Sequence, residues 1–229
     1  MNSEYLKCSG DDCFNNNRFH ANFINGIVDH VSYRGISIEQ RPEVLGKFHG
    51  LIGQYKPQQI IEIGTFAGGF TLILKDIVDS LGLDTALHTY DVNNQNILKD
   101  QINYRQVKNI FVHTKNLFSS NYDAFVNDEA RQELVNIIQN SGLTMVLCDG
   151  GCKKCEFNII APFLKSNDII MAHDYAPNSD FFHNHMNRKI WNWHEIQDSD
   201  IQASVSNSNL MPLDRESFLE VAWLCMRKV

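Results

Sequence analysis

The sequence has no long apolar run, no cluster of basic residues and little proline. No stretch approaches the ~18 apolar residues that a membrane-spanning helix needs, and residues 1–17 are polar and acidic, unlike a signal peptide. The 5 prolines and 13 glycines in 229 residues exclude a collagen-like chain. The net charge is −7, whereas general affinity for nucleic acid or an anionic membrane needs clustered Lys and Arg. We therefore expect a cytoplasmic protein that binds neither nucleic acid nor membrane.

Cysteine is present, but without the signs of a secreted protein. In a chain of this length with no export signal, the six cysteines indicate reduced thiols. Cys152 and Cys155 form a C-x-x-C pair, and a zinc site that joins them to Cys8 and Cys13 is the alternative.

The order of apolar runs and helical patterns predicts an α/β domain over residues 33–229, preceded by an irregular arm over 1–32. Short apolar runs bounded by Gly, Asp or Asn are typical of parallel strands that are covered on both faces. Amphipathic helices lie before and between them, which specifies a doubly wound sheet with right-handed crossovers. Near the end, a helix over 187–196 and a hairpin of two extended segments joined by 209–215 are expected. The strand candidates are 59–64, 86–91, 109–113, 143–148, 168–172, 201–207 and 218–226, and the other helices are 41–55, 69–80, 95–105, 128–140 and 153–164.

A glycine-containing turn follows the first of these strands. Glu62, Gly64 and Gly68 give E-x-G-x-x-x-G, in which glycine allows a ligand to lie against the backbone and the next helix offers free N–H groups. Phe66 stands where a dinucleotide fingerprint has its second glycine, which leaves little space for pyrophosphate. Glu62 suits a ligand with a cationic group instead. A tight strand–helix turn without a ligand is the alternative.

Asp91 and Asn116 follow the next two strands. Asp91 comes 27 residues after Gly64 and has the position of an acid that accepts both ribose hydroxyls of a nucleoside. A helix N-cap is the alternative role for Asp91. Asn116 is placed to hydrogen-bond an adenine.

Two further strands each end in a carboxylate, at Asp149 and Asp174. Neighbouring parallel strands lie ~4.8 Å apart, so both side chains can converge on one cation. Oxygen ligands favour Mg²⁺, and His173 as a third ligand shifts the preference towards Mn²⁺, Fe²⁺ or Zn²⁺. Two turn-capping aspartates are the alternative.

These segments resemble a known enzyme family. E-x-G-x-x-x-G is similar to motif I of the class I S-adenosylmethionine (SAM)-dependent methyltransferases. Residues 33–42, the helix after them and residues 60–69 resemble the opening region of the cephalosporin hydroxylase / rhamnosyl O-methyltransferase family. Residues 149–175 resemble metal-dependent sugar O-methyltransferases.

The resemblance implies a Rossmann-like, mostly parallel seven-stranded sheet with a C-terminal antiparallel hairpin, SAM as methyl donor and a divalent metal that holds two vicinal oxygens of the acceptor. Metal ligands are then Asp149, His173 and Asp174. His173 stands before the second metal aspartate, where these relatives commonly have an acid. Gly151 stands two residues after the first, where they often have an acid or a polar group, so the general base is either Lys153 or His173. The cofactor contacts are Glu62, Gly64, Thr65, Phe66, Gly68, Asp91, Asn116 and Asp149.

We therefore expect a SAM-dependent O-methyltransferase that acts on a small hydroxylated acceptor, a sugar or a vicinal diol, assisted by Mg²⁺. A SAM-binding protein of the same fold without transfer activity is one alternative, and an NAD-dependent oxidoreductase, which Phe66 opposes, is another. The sequence leaves open whether the chain forms a homo-oligomer.

Overall fold

A seven-stranded mixed sheet is the centre of the fold. The computed structural model describes residues 19–24, 27–93 and 109–229, with side chains from residue 31 onward. The strand order is β6-β5-β4-β7-β8-β10-β9. The first five of these strands run parallel, and β10 pairs antiparallel with both β8 and β9. The strands are β4 Gln59–Ile63, β5 Ala86–Asp91, β6 Ile110–Thr114, β7 Thr144–Cys148, β8 Ile169–Ala172, β9 Leu210–Pro212 and β10 Leu224–Lys228.

Strand β8 and, apart from Thr144, strand β7 are apolar because both faces of the sheet are covered. Along β7, Met145 and Leu147 belong to one buried cluster, whereas Val146 and Cys148 belong to the cluster on the other face. This two-residue alternation between two cores is what a parallel strand with helices on both sides requires. The predicted Rossmann-like sheet with its closing antiparallel pair is confirmed.

Helices cover both faces. The first cluster contains side chains from α1 Val44–Tyr55 and α2 Gly69–Ser80. The second contains side chains from α3 Asp128–Gln139 and α4 Lys153–Ile160. The remaining helical segments among the described residues are the 3₁₀ turn Ala161–Phe163, α5 Ser179–Phe181, the π-helical turn Phe182–Met186, α6 Asp198–Asn207 and α7 Arg215–Leu219.

A second, three-stranded antiparallel sheet lies against α2. Its strands are β1 Phe19–Ile24, β2 Ile27–Tyr33 and β3 Ile36–Ile38. The approach is close, because a Cβ atom on Gly69 would lie 2.2 Å from Cγ2 of Ile38. The prediction of an irregular arm over 1–32 therefore needs correction where β1 and β2 lie.

The C-terminal elements differ most from the predictions. Residues 201–207, expected as a strand, belong to α6, and the expected helix 187–196 is not helical. Residues 218–226 divide between the end of α7 and the start of β10. The predicted helix 95–105 lies outside the described residues. Among the helices in the described part of the chain, none has the length and apolar composition to span a bilayer.

Candidate active site

The candidate site lies where the strand order of the sheet reverses, at the carboxyl ends of the parallel neighbours β4 and β7. Ligands of open α/β sheets bind at such switch points. A cavity of about 590 Å³ and a smaller one of about 260 Å³ meet there. Gly64, Phe66 and Asp149 line both cavities. The exits of β4 and β7 thus form the boundary between two adjoining spaces.

Gly64 sets the distance between these two strand exits. Its φ is +93°, and a Cβ atom there would lie 2.3 Å from the backbone oxygen of Asp149. The backbone N–H of Asp149 donates to Ile63 O at 2.9 Å, which holds the two exits together. The position accepts only glycine because both the dihedral angle and the space exclude a side chain.

The smaller cavity combines aromatic walls with a carboxylate. Asp91 accepts hydrogen bonds from the backbone N–H groups of Phe66 (2.9 Å) and Asn93 (2.8 Å), so it caps its own turn and also faces the cavity. Asn116 Oδ1 accepts from the N–H of Phe118 at 3.2 Å. Both predicted residues line this space, which suits a flat heterocycle linked to a hydroxylated ring. The aromatic lining is Phe66, Tyr90, Phe118 and Tyr122.

Glu62 does not line either cavity, although the sequence placed it among the cofactor contacts. Its Oε2 accepts from the hydroxyls of Thr71 (2.6 Å) and Thr89 (2.5 Å) beneath α2. Burial raises the pKa of Glu62 to about 8, so the group is largely neutral near neutral pH. These contacts oppose a direct bond from a Glu62 carboxylate to a cationic ligand.

The other residues of this turn have separate positions. Thr65 lines the larger cavity, and its Oγ1 lies 2.6 Å from Thr89 Oγ1. Gly68 caps the start of α2 with φ at +90° and lines neither cavity. Gly68 thus shapes the helix start instead of contacting the space in front of it.

The larger cavity is lined by the two predicted carboxylates, and protein N–H groups reach both. Gln40 Nε2 donates to Asp149 Oδ2 at 2.6 Å, and His173 Nδ1 lies 3.0 Å from Asp149 Oδ1. Asp174 Oδ1 accepts from Trp191 Nε1 at 2.5 Å, and its Oδ2 lies 3.0 Å from the Nζ of Lys153. Both aspartates lie beside His173, whose Nδ1 is 3.0 Å from Asp149 Oδ1 and 3.5 Å from Asp174 Oδ1. Each carboxylate oxygen already faces an N–H donor.

His173 is buried between two indoles. Its ring lies 4.8 Å from that of Trp191 and 5.0 Å from that of Trp223, measured between ring centroids. Burial lowers the pKa of His173, but the nearby carboxylates of Asp149 and Asp174 outweigh burial and raise it. Its Nε2 is buried without a hydrogen-bond partner among the described residues.

Lys153 is held by oxygen atoms on three sides. Its Nζ donates to Gly150 O at 3.0 Å and to Glu195 Oε2 at 3.1 Å, in addition to its contact with Asp174. Burial lowers the pKa of Lys153, but the charges of Asp149, Asp174 and Glu195 outweigh burial and raise it. A general base needs a free lone pair, so these contacts oppose the predicted role of Lys153 as the base.

The predicted metal ligands do not form a metal site in this arrangement. No group of three His, Cys, Asp or Glu side chains with metal-binding geometry occurs within the described ranges. The N–H groups of Gln40, His173 and Trp191 point at the oxygens that a cation would need. Asp149, His173 and Asp174 are therefore close together without fitting a divalent metal.

Two residues that contact this site, Gln40 and Glu195, have no role among the sequence-based predictions. Gln40 is buried, and its Oε1 accepts from Trp223 Nε1 at 2.8 Å, which fixes its amide with Nε2 towards Asp149. Glu195 bonds both the backbone N–H and the Nζ of Lys153. These partners lie far apart in the sequence, so no local pattern indicates them.

The cysteines beside the site form a disulfide. Cys152 and Cys155 are bonded at the start of α4, which corrects the expectation of reduced thiols for this pair. Cys148 and Cys225 are free and buried. Cys8 and Cys13 lie outside the described residues, so the alternative zinc site is not tested.

Comparison with solved structures relates this fold to known proteins. An apo structure of CmcI matches with a TM-score of 0.60 at 14% identity, over 86% of this chain and 76% of that one. A Mg–SAM structure of CmcI gives 0.57 at 12% identity, with the same coverage. An O-methyltransferase family protein from Burkholderia thailandensis gives 0.51 at 10% identity, over 81% of this chain and 56% of that one.

No protein-family model and no curated protein sequence matches the chain. At these identities the structural likeness shows the fold alone. The chain has the Rossmann-like methyltransferase fold, and the resemblance found in the sequence is confirmed at that level.

Proposed function

We propose that the chain is a SAM-dependent O-methyltransferase acting on a hydroxyl group of a small acceptor, with a sugar or a vicinal diol as the acceptor class. The observation that carries the proposal is the pair of cavities that meet at Gly64, Phe66 and Asp149, on the ligand-binding edge of a methyltransferase fold. The smaller cavity suits an adenosine, and the larger one has the volume for the acceptor. The boundary between them is where a methyl group would pass.

The reaction needs little from the protein besides alignment. The acceptor oxygen forms a bond to the methyl carbon while the carbon–sulfur bond breaks and its electron pair stays on sulfur. The sulfonium thereby becomes a neutral thioether, and the hydroxyl proton passes to a neighbouring carboxylate or to water. Because the sulfonium is already a good leaving group, holding donor and acceptor in line is the main catalytic task. Adjoining cavities on a rigid sheet edge supply that alignment.

The sequence also predicted Mg²⁺, but we include no metal in the proposed reaction. The oxygens of Asp149 and Asp174 face N–H donors of the protein. No step is therefore assigned to a metal. The choice of Lys153 or His173 as the general base stays a prediction, which the contacts of Lys153 oppose.

Isothermal titration with SAM, S-adenosylhomocysteine and NADH tests the cofactor. We expect SAM and S-adenosylhomocysteine to bind and NADH not to bind. Asp91→Asn is expected to weaken SAM binding by about 10–100-fold, the loss of ~1.5–3 kcal/mol from hydrogen bonds to a charged group. Asp128→Asn is the matched control, because Asp128 is 92% exposed on α3, away from both cavities. NADH binding in place of SAM would overturn the proposal.

Transfer is tested by the formation of S-adenosylhomocysteine with a panel of sugars and vicinal diols. Product formation that requires both SAM and an acceptor supports the proposed enzyme. SAM binding without turnover on any hydroxylated acceptor would instead favour a SAM-binding protein that has lost transfer chemistry.

A further inference from the structure

The Lys153 ammonium lies among the carboxylates beside the larger cavity. An ammonium has three N–H donors, and three oxygen atoms surround this one: Gly150 O, Asp174 Oδ2 and Glu195 Oε2, all within 3.0–3.1 Å. The match is one acceptor for each donor. The side chain is 12% exposed, so solvent screens the charge only weakly.

The backbone also fixes this position. Lys153 is the first residue of α4, and its N–H donates to Glu195 Oε1 at 2.9 Å while its side chain bonds the other oxygen of the same carboxylate. Glu156 accepts from the N–H groups of Gly150 and Cys152 at 3.1 Å each, which holds the turn before the helix. Lys153 is therefore held at both its backbone N–H and its ammonium group.

A divalent cation at this place would need the same oxygens. Mg²⁺ and related ions bind oxygen lone pairs and require near-octahedral geometry. Both oxygens of Asp149 face N–H groups of Gln40 and His173, and Asp174 faces Trp191 and Lys153. A cation beside Asp174 would also be repelled by the ammonium, so binding requires displacement of Lys153 from its three acceptors.

We propose that Lys153 is the resident cation of this site: its ammonium stands in the place of a divalent metal and holds Asp174 and Glu195 at the wall of the larger cavity. Lys153 is thus a positioning residue. On the proposed function, it follows that methyl transfer by this chain proceeds without a divalent metal.

A titration with Mn²⁺ tests the proposal without SAM or acceptor. Binding is measured as the loss of the electron paramagnetic resonance signal of the free ion. We expect the wild-type protein and Lys153→Arg, which keeps the charge, to leave the Mn²⁺ signal unchanged. Lys153→Met keeps the length of the side chain but removes the charge. We expect it to reduce the free-ion signal at Mn²⁺ concentrations at least about tenfold below any at which the wild type binds the ion. Lys154→Met is the matched control because Lys154 is the exposed neighbour, and we expect it to behave as the wild type.

Wild-type binding of Mn²⁺ that Asp149→Asn or Asp174→Asn abolishes would overturn the proposal. A folded Lys153→Met protein that binds no more Mn²⁺ than the wild type would overturn it as well. If Lys153→Met does not fold, the wild-type titration with the two aspartate variants still decides.

An assay of methyl transfer tests the metal-free reaction independently of the Mn²⁺ titration. If transfer is observed, it should survive a metal chelator, and its loss on chelation would overturn the metal-free step. If no transfer is observed with any acceptor, the proposed function fails, whereas the Mn²⁺ titration still judges the role of Lys153.

Discussion

Single residues decide how close the two strand exits come to each other. Gly64 and Gly82 both have positive φ, at +93° and +63°, but only Gly64 lies against other backbone atoms. A Cβ at Gly82 would meet nothing within 4 Å, whereas one at Gly64 would lie 2.3 Å from Asp149 O. Substitutions at Gly64 and Gly82 can therefore separate two contributions to the free energy of unfolding: the unfavourable dihedral angle and the close approach of the backbone.

Gly64→Ala is expected to destabilise the fold more than Gly82→Ala. Both substitutions place a side chain in the left-handed region, which costs ~1–2 kcal/mol, and Gly64→Ala adds ~1–3 kcal/mol for overpacking. Urea unfolding measures the difference, and SAM titration should show weaker binding for Gly64→Ala alone. Equal unfolding midpoints for the two variants would contradict the close approach.

Gln40 connects the wall of the larger cavity to the core. Gln40→Leu leaves the Trp223 indole N–H and Asp149 Oδ2 without this amide. A buried group that loses its partner costs about 1–3 kcal/mol, so we expect a lower free energy of unfolding by at least that amount. Gln54→Leu, at an exposed position of α1, is the control and should change stability by less than about 0.5 kcal/mol. A Gln40→Leu protein as stable as this control would disprove the role of the amide.

The site residues that the sequence identified are those at strand ends. Asp91, Asn116, Asp149 and Asp174 were found because the carboxyl ends of parallel strands share one edge. Gln40 was not predicted, because its partners Asp149 and Trp223 lie 109 and 183 positions away in the sequence. A sequence pattern indicates on which strand or loop a residue lies. It does not indicate which distant residue forms a hydrogen bond with its side chain.

At the scale of elements, the strand pair β5–β6 carries a stack of rings against α3. His88 lies 4.7 Å from Phe111 and 5.4 Å from His113, measured between ring centroids, and its Nδ1 is 3.1 Å from His113 Nε2. His113 in turn approaches Glu133 of α3, which also bonds Lys115. Burial lowers the pKa of His88 to about 4, with the charge of His113 acting in the same direction and that of Glu133 opposing it.

This stack predicts acid sensitivity. The folded-state pKa of His88 lies below its ordinary value of 6.5, so the folded state disfavours the protonated ring. The stability that this group contributes is complete well above pH 6.5 and is lost as the pH falls from 6.5 towards about 4. The full shift would correspond to ~1.4 kcal/mol per pKa unit, and partial exposure of the ring reduces it to the order of 1–2 kcal/mol.

His88→Phe keeps a ring in the stack but cannot take up a proton. We expect its free energy of unfolding to fall less steeply with decreasing pH than that of the wild type, as urea unfolding across this pH range would measure. Identical pH slopes for the two proteins would contradict the prediction. Comparison well above pH 6.5 isolates the packing cost of the substitution.

The elements that the sequence predicted poorly are those whose pattern fits two structures. Residues 201–207 alternate in polarity as a strand does, yet Ile201 and Val205 are also four residues apart and pack together as one helix face. A capping box of Gln197 and Asp200 begins that helix. Residues 187–196 are not helical, and 191 and 193–195 instead line the larger cavity.

The N-terminal strands were missed for a different reason. Asn25-Gly26 between two runs of alternating polarity is a hairpin signal, but the many polar residues before it favoured an irregular arm. The central sheet was predicted well because strands buried on both faces leave a continuous apolar signal.

At the scale of the whole molecule, the proposed function assigns both ligands to one edge of the sheet. The two cavities meet at the carboxyl ends of β4 and β7, whereas a third cavity, of about 360 Å³, lies between α6 and the antiparallel strands. Among the described residues, the third cavity shares no lining residue with the other two. Cofactor binding should therefore stabilise one region of the molecule and leave the other unchanged.

Hydrogen exchange with and without SAM tests this separation. A ligand at about 100 times its Kd adds about 2.7 kcal/mol to the stability of the state that binds it, so exchange through openings that release the ligand should slow by up to about 100-fold. We expect this protection in residues 64–69, 90–93, 115–118 and 149–152, and none in 198–205, beside the third cavity. If protection were strongest at 198–205, the cofactor would bind in the third cavity. The proposed arrangement of donor and acceptor in the two adjoining cavities would then be wrong.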